Sequence, residues 1–245
     1  MERIDLRASD VAESLDEALA GRPATPGFAP RPLERARPVA LPAWFIDRCR
    51  RAYLSVSFPE GAARIIGITS AFYGEGKTSV AIGIAMAVAA DTQEPTLLLE
   101  CDLERPSFDR FFGFRTAPGL AEWLEALAPL RVIRAAPLEN EYIIPAGSRP
   151  TDPARIIYRL SESNVMAELR PRFRNIVLDL PPVLNIAYSS LACRLAERIL
   201  LVARYGLTPI EDLEKAEFLL GQERLTGILL NGYASKVPRW LRGLL

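Results

Sequence analysis

The sequence predicts a three-layer α/β domain with a mostly parallel central sheet. Two observations carry this. From residue 64 on, short apolar runs alternate with longer helical stretches, which implies crossover connections and a parallel sheet. The apolar runs do not alternate with polar residues, which implies a sheet covered on both faces.

The elements follow in order. Residues 65–70 read as a strand with no polar face, and 78–90 as a helix buried on most sides. Residues 96–101 are a strand and 118–127 a helix. Residues 142–145 form a short strand, with helical segments between 153 and 170. Residues 175–180 are a strand, 189–197 a helix and 199–203 a strand. A helix over 210–220 and a strand over 226–231 complete the pattern, and there is no internal repeat.

Composition narrows the chemistry. The chain has 245 residues, with 30 basic and 30 acidic side chains and no histidine. A Ser-His-Asp triad, a Cys-His pair, a His-ligated zinc and a phosphohistidine relay are all excluded. Only Lys77, Lys215 and Lys236 are lysines; the other basic residues are arginines. A zero net charge gives no general attraction to nucleic acid. Cys49, Cys101 and Cys193 are far apart and odd in number, which argues for a reducing compartment and against a disulfide frame. No basic-then-apolar leader is present, and the weakly polar run 78–90 is too short to span a bilayer. A cytoplasmic location is expected, peripheral to the inner membrane if something holds the chain there.

Three regions are expected. Residues 1–43 carry Pro23, Pro26, Pro30, Pro32, Pro38 and Pro42 among many Ala and Arg, and read as a flexible arm. Within the arm, residues 9–20 place Val11, Leu15 and Leu19 on one helical face, either a transient helix or a docking peptide. Residues 44–235 form the nucleotide-binding domain. Residues 236–245 hold Lys236, Arg239 and Arg242 with Val237, Trp240, Leu241 and Leu244 at helical spacing. That basic amphipathic tail would pack on the domain, dock on a partner or lie at a membrane surface.

The chemistry-bearing residues sit at strand ends, where such sheets bind ligands. The first strand ends in Ala71-Phe72-Tyr73-Gly74-Glu75-Gly76-Lys77-Thr78-Ser79, and a helix follows. Gly74 and Gly76 let the backbone wrap an anion, with N–H groups aimed at a phosphate and the helix N-terminus behind them. Lys77 would reach the phosphates and the Thr78 hydroxyl would hold Mg²⁺. The first glycine of the general G-x-x-x-x-G-K-[ST] pattern is replaced by Ala71. This loop predicts a P-loop NTPase fold. Two further strands end in acids: Glu100-Cys101-Asp102 after 97–99, and Asp179 after 176–178. Carboxylates there would position metal and the attacking group.

On these motifs the chain resembles the bacterial tyrosine kinases of capsular and exopolysaccharide biosynthesis. They are a branch of the deviant Walker A proteins that includes the ParA and MinD ATPases. The resemblance covers about residues 44–235. It rests on Gly74-Glu75-Gly76-Lys77-Thr78, Asp102-Leu103 with Arg105-Pro106, Pro145-Ala146-Gly147 followed by Asp152-Pro153, Asp179-Leu180-Pro181-Pro182-Val183-Leu184, and Leu230-Asn231. No lysine lies between residues 70 and 76, which favours the kinase branch.

The resemblance implies the cofactors ATP and Mg²⁺. It places Gly74, Glu75, Gly76, Lys77, Thr78, Ser79 and Asn231 on the nucleotide, the last at the adenine. It places Thr78, Asp102 and Asp179 on Mg²⁺, and Lys77, Glu100, Asp102 and Asp179 in catalysis, with Glu100 as the base for an incoming tyrosine hydroxyl. The implied partner is an inner-membrane protein of the polysaccharide co-polymerase type, with a homo-oligomer as a further assembly. The implied activity is ATP-dependent protein-tyrosine phosphorylation.

The departures leave alternatives open. Glu100 stands where an aspartate is usual, Glu104 for an arginine, Tyr188 for an aspartate and Tyr73 for a proline. The assembly motif, an acid and two arginines spaced by three, survives as Asp47 and Arg50 with Tyr53 in the third place. Only Tyr233 follows the last strand, where a tyrosine cluster is usual. A nucleotide-binding scaffold without transfer, and a MinD-like ATPase cycling on membranes through 236–245, are the other readings.

Overall fold

The computed structural model describes residues 34–58, 63–125, 131–163 and 165–233. The tail expected at 236–245 and the helix expected over 9–20 lie outside these residues.

Seven strands make one sheet: β1 (Arg64–Ser70), β2 (Thr96–Glu100), β3 (Arg134–Ala135), β4 (Glu141–Ile144), β5 (Asn175–Asp179), β6 (Arg198–Arg204) and β7 (Leu225–Asn231). Their order is β3-β4-β2-β5-β1-β6-β7. Every neighbouring pair is parallel except β3 with β4. β2 and β5 are buried along their whole length, and β1 everywhere but Arg64, as strands without a polar face must be. β7 alternates between half-buried and exposed residues because it is an edge.

The helices are α1 (Ala43–Leu54), α2 (Lys77–Thr92), α3 (Phe108–Phe112), α4 (Leu120–Glu125), α5 (Pro153–Glu162), α6 (Val165–Leu169), α7 (Ser189–Cys193) and α8 (Ile210–Leu220). One apolar cluster joins α1, α2 and α3 to one face of the sheet, through residues such as Ile66, Ile68, Val80, Ile84 and Phe108. The other joins α4 to α8 to the opposite face, through Leu97, Leu99, Leu160, Ile176, Leu178 and Ala216. The fold is therefore the expected three-layer α/β arrangement, with an apolar core on each side of the sheet.

Besides the short β3 and α3, which the sequence reading did not assign, two segments differ from it. Residues 34–37, assigned there to the flexible arm, run along the sheet edge. Arg35 forms a parallel bridge with Ala135, Ala36 N donates to Ala135 O (2.8 Å), and Arg37 N donates to Phe112 O (2.7 Å). The anchor is Arg134, whose side chain is fully buried and bonds Glu34 Oε1 at 2.9 Å. Its guanidinium also donates to Val132 O (2.7 Å) and Pro118 O (2.8 Å), so the buried cation is both paired and hydrogen-bonded.

The second difference is α1, for which no helix was predicted. Its sequence carries an apolar stripe at helical spacing, Phe45, Cys49, Ala52 and Tyr53, which packs into the core on the α2 side of the sheet. It lies close on α2 at Gly83, where an added Cβ would come 2.6 Å from Cys49 Sγ. No helix of the described residues is long and apolar enough to cross a membrane.

Candidate active site

The site forms where three parallel strands end side by side. Asp179 ends β5, which lies between β2 and β1. In register it faces Glu100 on one side and Ile68 on the other. The chain after β5 continues along the end of β1: Leu180 N donates to Ile68 O (2.9 Å), Val183 N to Ser70 O (2.8 Å) and Thr69 Oγ1 to Pro181 O (2.7 Å). This is the structural task of the Leu180-Pro181-Pro182-Val183 segment. It fixes Asp179 beside the loop that follows β1.

That loop has two glycines at positive φ, Gly74 (84°) and Gly76 (96°). Gly76 is required twice over, since an added Cβ would also lie 2.1 Å from Asn231 Nδ2. Ala71 is fully buried and is not among the residues at positive φ, so a methyl is tolerated where the general pattern has glycine.

Glu75 braces the loop from within. Its Oε2 accepts the Phe72 N–H at 2.8 Å, and its Oε1 accepts the Thr208 hydroxyl. Asn231 Nδ2 donates to Glu75 O at 2.9 Å, and Arg204 Nη1 to Gly74 O at 3.4 Å. Thr208 and Arg204 were not singled out in the sequence, because nothing in their local pattern marks a contact with a loop some 130 residues earlier.

The charged centre is Lys77, at the first turn of α2. Its ammonium lies 2.8 Å from Asp102 Oδ2 and 3.4 Å from Asp179 Oδ1. The Thr78 hydroxyl donates to Asp179 Oδ2 at 2.8 Å. All three charges are buried. Burial works against the Lys77 cation, but Asp179 and Asp102 hold its pKa above the ordinary value. Burial likewise raises Asp179, against the opposing pull of Lys77. The structure therefore brings together Lys77, Thr78, Asp102 and Asp179.

Among the described residues, no group of three or more acids and cysteines converges as an all-protein metal cage would. The donor set of one hydroxyl and two carboxylates, next to a loop with two glycines at positive φ, fits the usual habit of Mg²⁺. That ion takes one or two carboxylates and completes its shell with phosphate oxygens and water.

Glu100 is placed differently from the other acids. Its Oε1 accepts the N–H groups of Ser107 (2.5 Å) and Phe108 (2.9 Å), and its Oε2 accepts that of Ala146 (3.0 Å). The carboxyl is fully buried, and burial pushes its pKa up to about 7 despite these three donors. Both oxygens are thus occupied in tying β2 to the start of α3 and to the 145–147 loop. Glu122 completes that loop, accepting Gly119 N and Ser148 N, each at 2.8 Å. Asp152 caps α5 through Arg155 N at 3.1 Å, with Pro153 at the first position.

Two aromatic departures also find places. The Tyr73 hydroxyl donates to Asp102 Oδ1 at 3.4 Å, and the Arg105 guanidinium lies over its ring at 4.1 Å. Tyr188 is buried at the start of α7. On the opposite face, Arg50 of α1 is bound to Asp47 and, at 2.6 Å, to Asp91. Tyr53 is buried, with its hydroxyl 3.1 Å from Asn175 Oδ1.

No family model matches the chain. The tyrosine-protein kinase ptk of Acinetobacter johnsonii is 25% identical over 191 residues, 77% of this chain and 26% of that protein. The kinase domain of the Escherichia coli tyrosine kinase ETK has a TM-score of 0.69 and 26% identity, covering 79% of this chain and 77% of that one. The chain is a homologue of the bacterial tyrosine kinases. The septum site-determining protein MinD of Pyrococcus horikoshii, solved with Mg-ADP, is a more distant neighbour at TM-score 0.59 and 25% identity, over 72% of this chain and 74% of that one.

This kinase homologue spans about a quarter of the length of the curated relatives it matches first. It shares with its structural neighbours the P-loop architecture around Lys77.

Proposed function

We propose that the chain binds ATP with Mg²⁺ and phosphorylates tyrosine, acting with an inner-membrane protein of the polysaccharide co-polymerase type in exopolysaccharide or capsule export. The observation that carries this reading is Lys77 held between Asp102 and Asp179, with Thr78 on Asp179, at the mouth of a glycine loop. The bound nucleotide supplies the transferable phosphoryl group.

The residues divide the work. Lys77 exchanges its carboxylate partners for phosphate oxygens and offsets their charge. Thr78 and Asp179, with Asp102 beside them, would hold Mg²⁺, and the N–H groups of 74–79 would orient the phosphates. Asp102, with Oδ1 turned toward Tyr73, takes the proton of an acceptor hydroxyl. Glu100 positions rather than deprotonates, because its oxygens are engaged by three backbone donors. Asn231 joins the nucleotide site through the loop it already contacts. The work would be done in the cytoplasm at the inner membrane.

A second reading, a nucleotide-binding scaffold that transfers nothing, draws support from the same Glu100 contacts. Labelled ATP separates the two. The purified protein, incubated with Mg²⁺, labelled ATP and its membrane partner, is expected to place label on tyrosine. Nucleotide binding with no labelled tyrosine in any component leaves the scaffold.

A further inference from the structure

The edge strand β7 and the helix before it leave an apolar surface open. Most of the large apolar side chains exposed among the described residues lie between 205 and 233. On β7, Leu229 packs into the core on the α2 side, so alternation turns Ile228 and Leu230 to the side of α8. They are 45% and 57% exposed there. α8 buries Ala216 and Leu220 on that side of the sheet and leaves Phe218 and Leu219 open. Exposed apolar side chains gathered in this way mark a surface that binds something.

Charge narrows what it binds. α8 carries Glu211, Asp212, Glu214 and Glu217 against one base, Lys215, which is paired with Asp212 at 2.6 Å. The apolar surface therefore has an acidic border. It suits a segment that is apolar on one face and basic on the other.

The chain itself supplies such a segment at this place. β7 ends at Asn231, and Gly232 leaves the strand conformation with a φ of 74°. Residues 236–245 follow. They hold Val237, Trp240, Leu241 and Leu244 at helical spacing, with Lys236, Arg239 and Arg242 and no acid. Residues 232–235 leave four positions for the turn back, within the usual range for a strand-to-helix connection. Ten residues at helical rise reach about 15 Å, close to the span of about 16 Å for the 11 residues of α8. A segment that starts there and runs back beside α8 passes Leu230 and then Ile228.

We infer that residues 236–245 dock on their own domain, with their apolar residues over Ile228 and Leu230 and their basic residues along the acidic α8. So placed, the segment covers the open side of β7 and is withheld from a membrane or a partner. The docking uses no residue of the nucleotide site and stands independently of the nucleotide reading.

Hydrogen exchange on the full chain, read by mass spectrometry, tests this. The proteins are wild type, Ile228→Ser with Leu230→Ser, Trp240→Ala with Leu241→Ala, and the charge reversal Glu211→Lys with Glu214→Lys. In wild type the amides of 237–245 are expected to exchange about 10-fold or more slowly than an unstructured peptide, at low and high protein concentration alike. Each serine or alanine variant is expected to lose that protection, and the charge reversal to lower it. Exchange in β1 and β5 is expected to stay unchanged throughout, which shows the core intact. The charge reversal alters only exposed residues and so serves if the serine variant opens the core. Residues 237–245 exchanging at the unstructured rate in wild type overturn the docking, and protection that then appears with phosphatidylglycerol vesicles assigns the segment to a membrane surface. Protection found only at high concentration, with a dimer in sedimentation, overturns docking in cis in favour of a second copy. Protection unchanged in both the serine and the charge-reversal variants overturns this surface as the docking place.

Discussion

Lys77 and Asp102 form a buried ion pair at 2.8 Å, and Asp179 stands behind the same ammonium at 3.4 Å. One cation thus serves two carboxylates. This gives Lys77 a structural role in addition to the phosphate contact proposed for it.

Replacing Lys77 by Met leaves two buried carboxylates facing each other without a cation. Removing one partner of a buried pair costs roughly 3–5 kcal/mol. The variant is expected to melt well below wild type at neutral pH, and to lose Mg-ATP binding in calorimetry. The deficit should shrink as pH falls, because burial already raises the pKa of Asp179 and its protonation removes a charge left without a cation. A variant that melts like wild type at pH 7 contradicts the geometry.

Asp102 and Glu100 are two residues apart, yet their contacts predict opposite phenotypes. Asp102→Asn removes a proton acceptor at the site, a change worth about 10²–10⁴-fold in rate for general bases. Glu100→Gln keeps one carbonyl oxygen for the Ser107 and Phe108 N–H groups but turns an amide NH₂ toward the Ala146 N–H, so it loses some stability and should leave tyrosine labelling per folded molecule within about 10-fold of wild type. Glu100→Ala leaves three buried N–H groups without an acceptor, at about 1–3 kcal/mol each, and should yield a strongly destabilised protein. Labelling rates per folded molecule, with melts alongside, check all three. A Glu100→Gln variant as inactive as Asp102→Asn would restore Glu100 as the base.

The two loop glycines should also separate. Gly74 has φ of 84° but nothing within 4 Å of an added Cβ. Gly74→Ala therefore meets backbone strain alone, on the order of 1–3 kcal/mol. Gly76→Ala meets the same strain and a Cβ 2.1 Å from Asn231 Nδ2, which must break the bond to Glu75 O. Mg-ATP affinity is expected to fall much further for Gly76→Ala than for Gly74→Ala. Similar losses in the two would mean that the Asn231 contact does not shape the loop.

The core strands and the phosphate loop were legible because each follows from local pattern. An apolar run without alternation can only be a strand or helix buried on both sides, and Gly-Lys-Thr between strand and helix has few other uses. What escaped the sequence depended on distant partners. Residues 34–37 look like a proline-rich arm until the buried Arg134 gives Glu34 a partner 100 residues away. α1 is an exception: its stripe of Phe45, Cys49, Ala52 and Tyr53 was legible in the sequence and was missed. Helices such as α3, with five residues, carry too little periodicity to read. Glu100 was placed at the right strand end. Its role turns on three backbone donors, two from 107–108 and one from Ala146, that only the folded chain brings together.

Glu141 gives a pH dependence that is independent of the nucleotide site. It starts β4 with its side chain buried, and neither carboxylate oxygen has a hydrogen-bond partner. Burial pushes its pKa up to about 8 from an ordinary value of 4.5. Between those values the folded protein holds a proton that the unfolded chain has released, so stability falls as pH rises from about 4.5 to 8. The loss from pH 5 to pH 8 is on the order of 3 kcal/mol for this group alone. Glu141→Gln cannot ionise and should remove that loss. Urea denaturation at both pH values is expected to show wild type falling more than the variant, with the variant the more stable at pH 8. Parallel pH profiles for the two proteins would mean that Glu141 is not buried as a neutral acid.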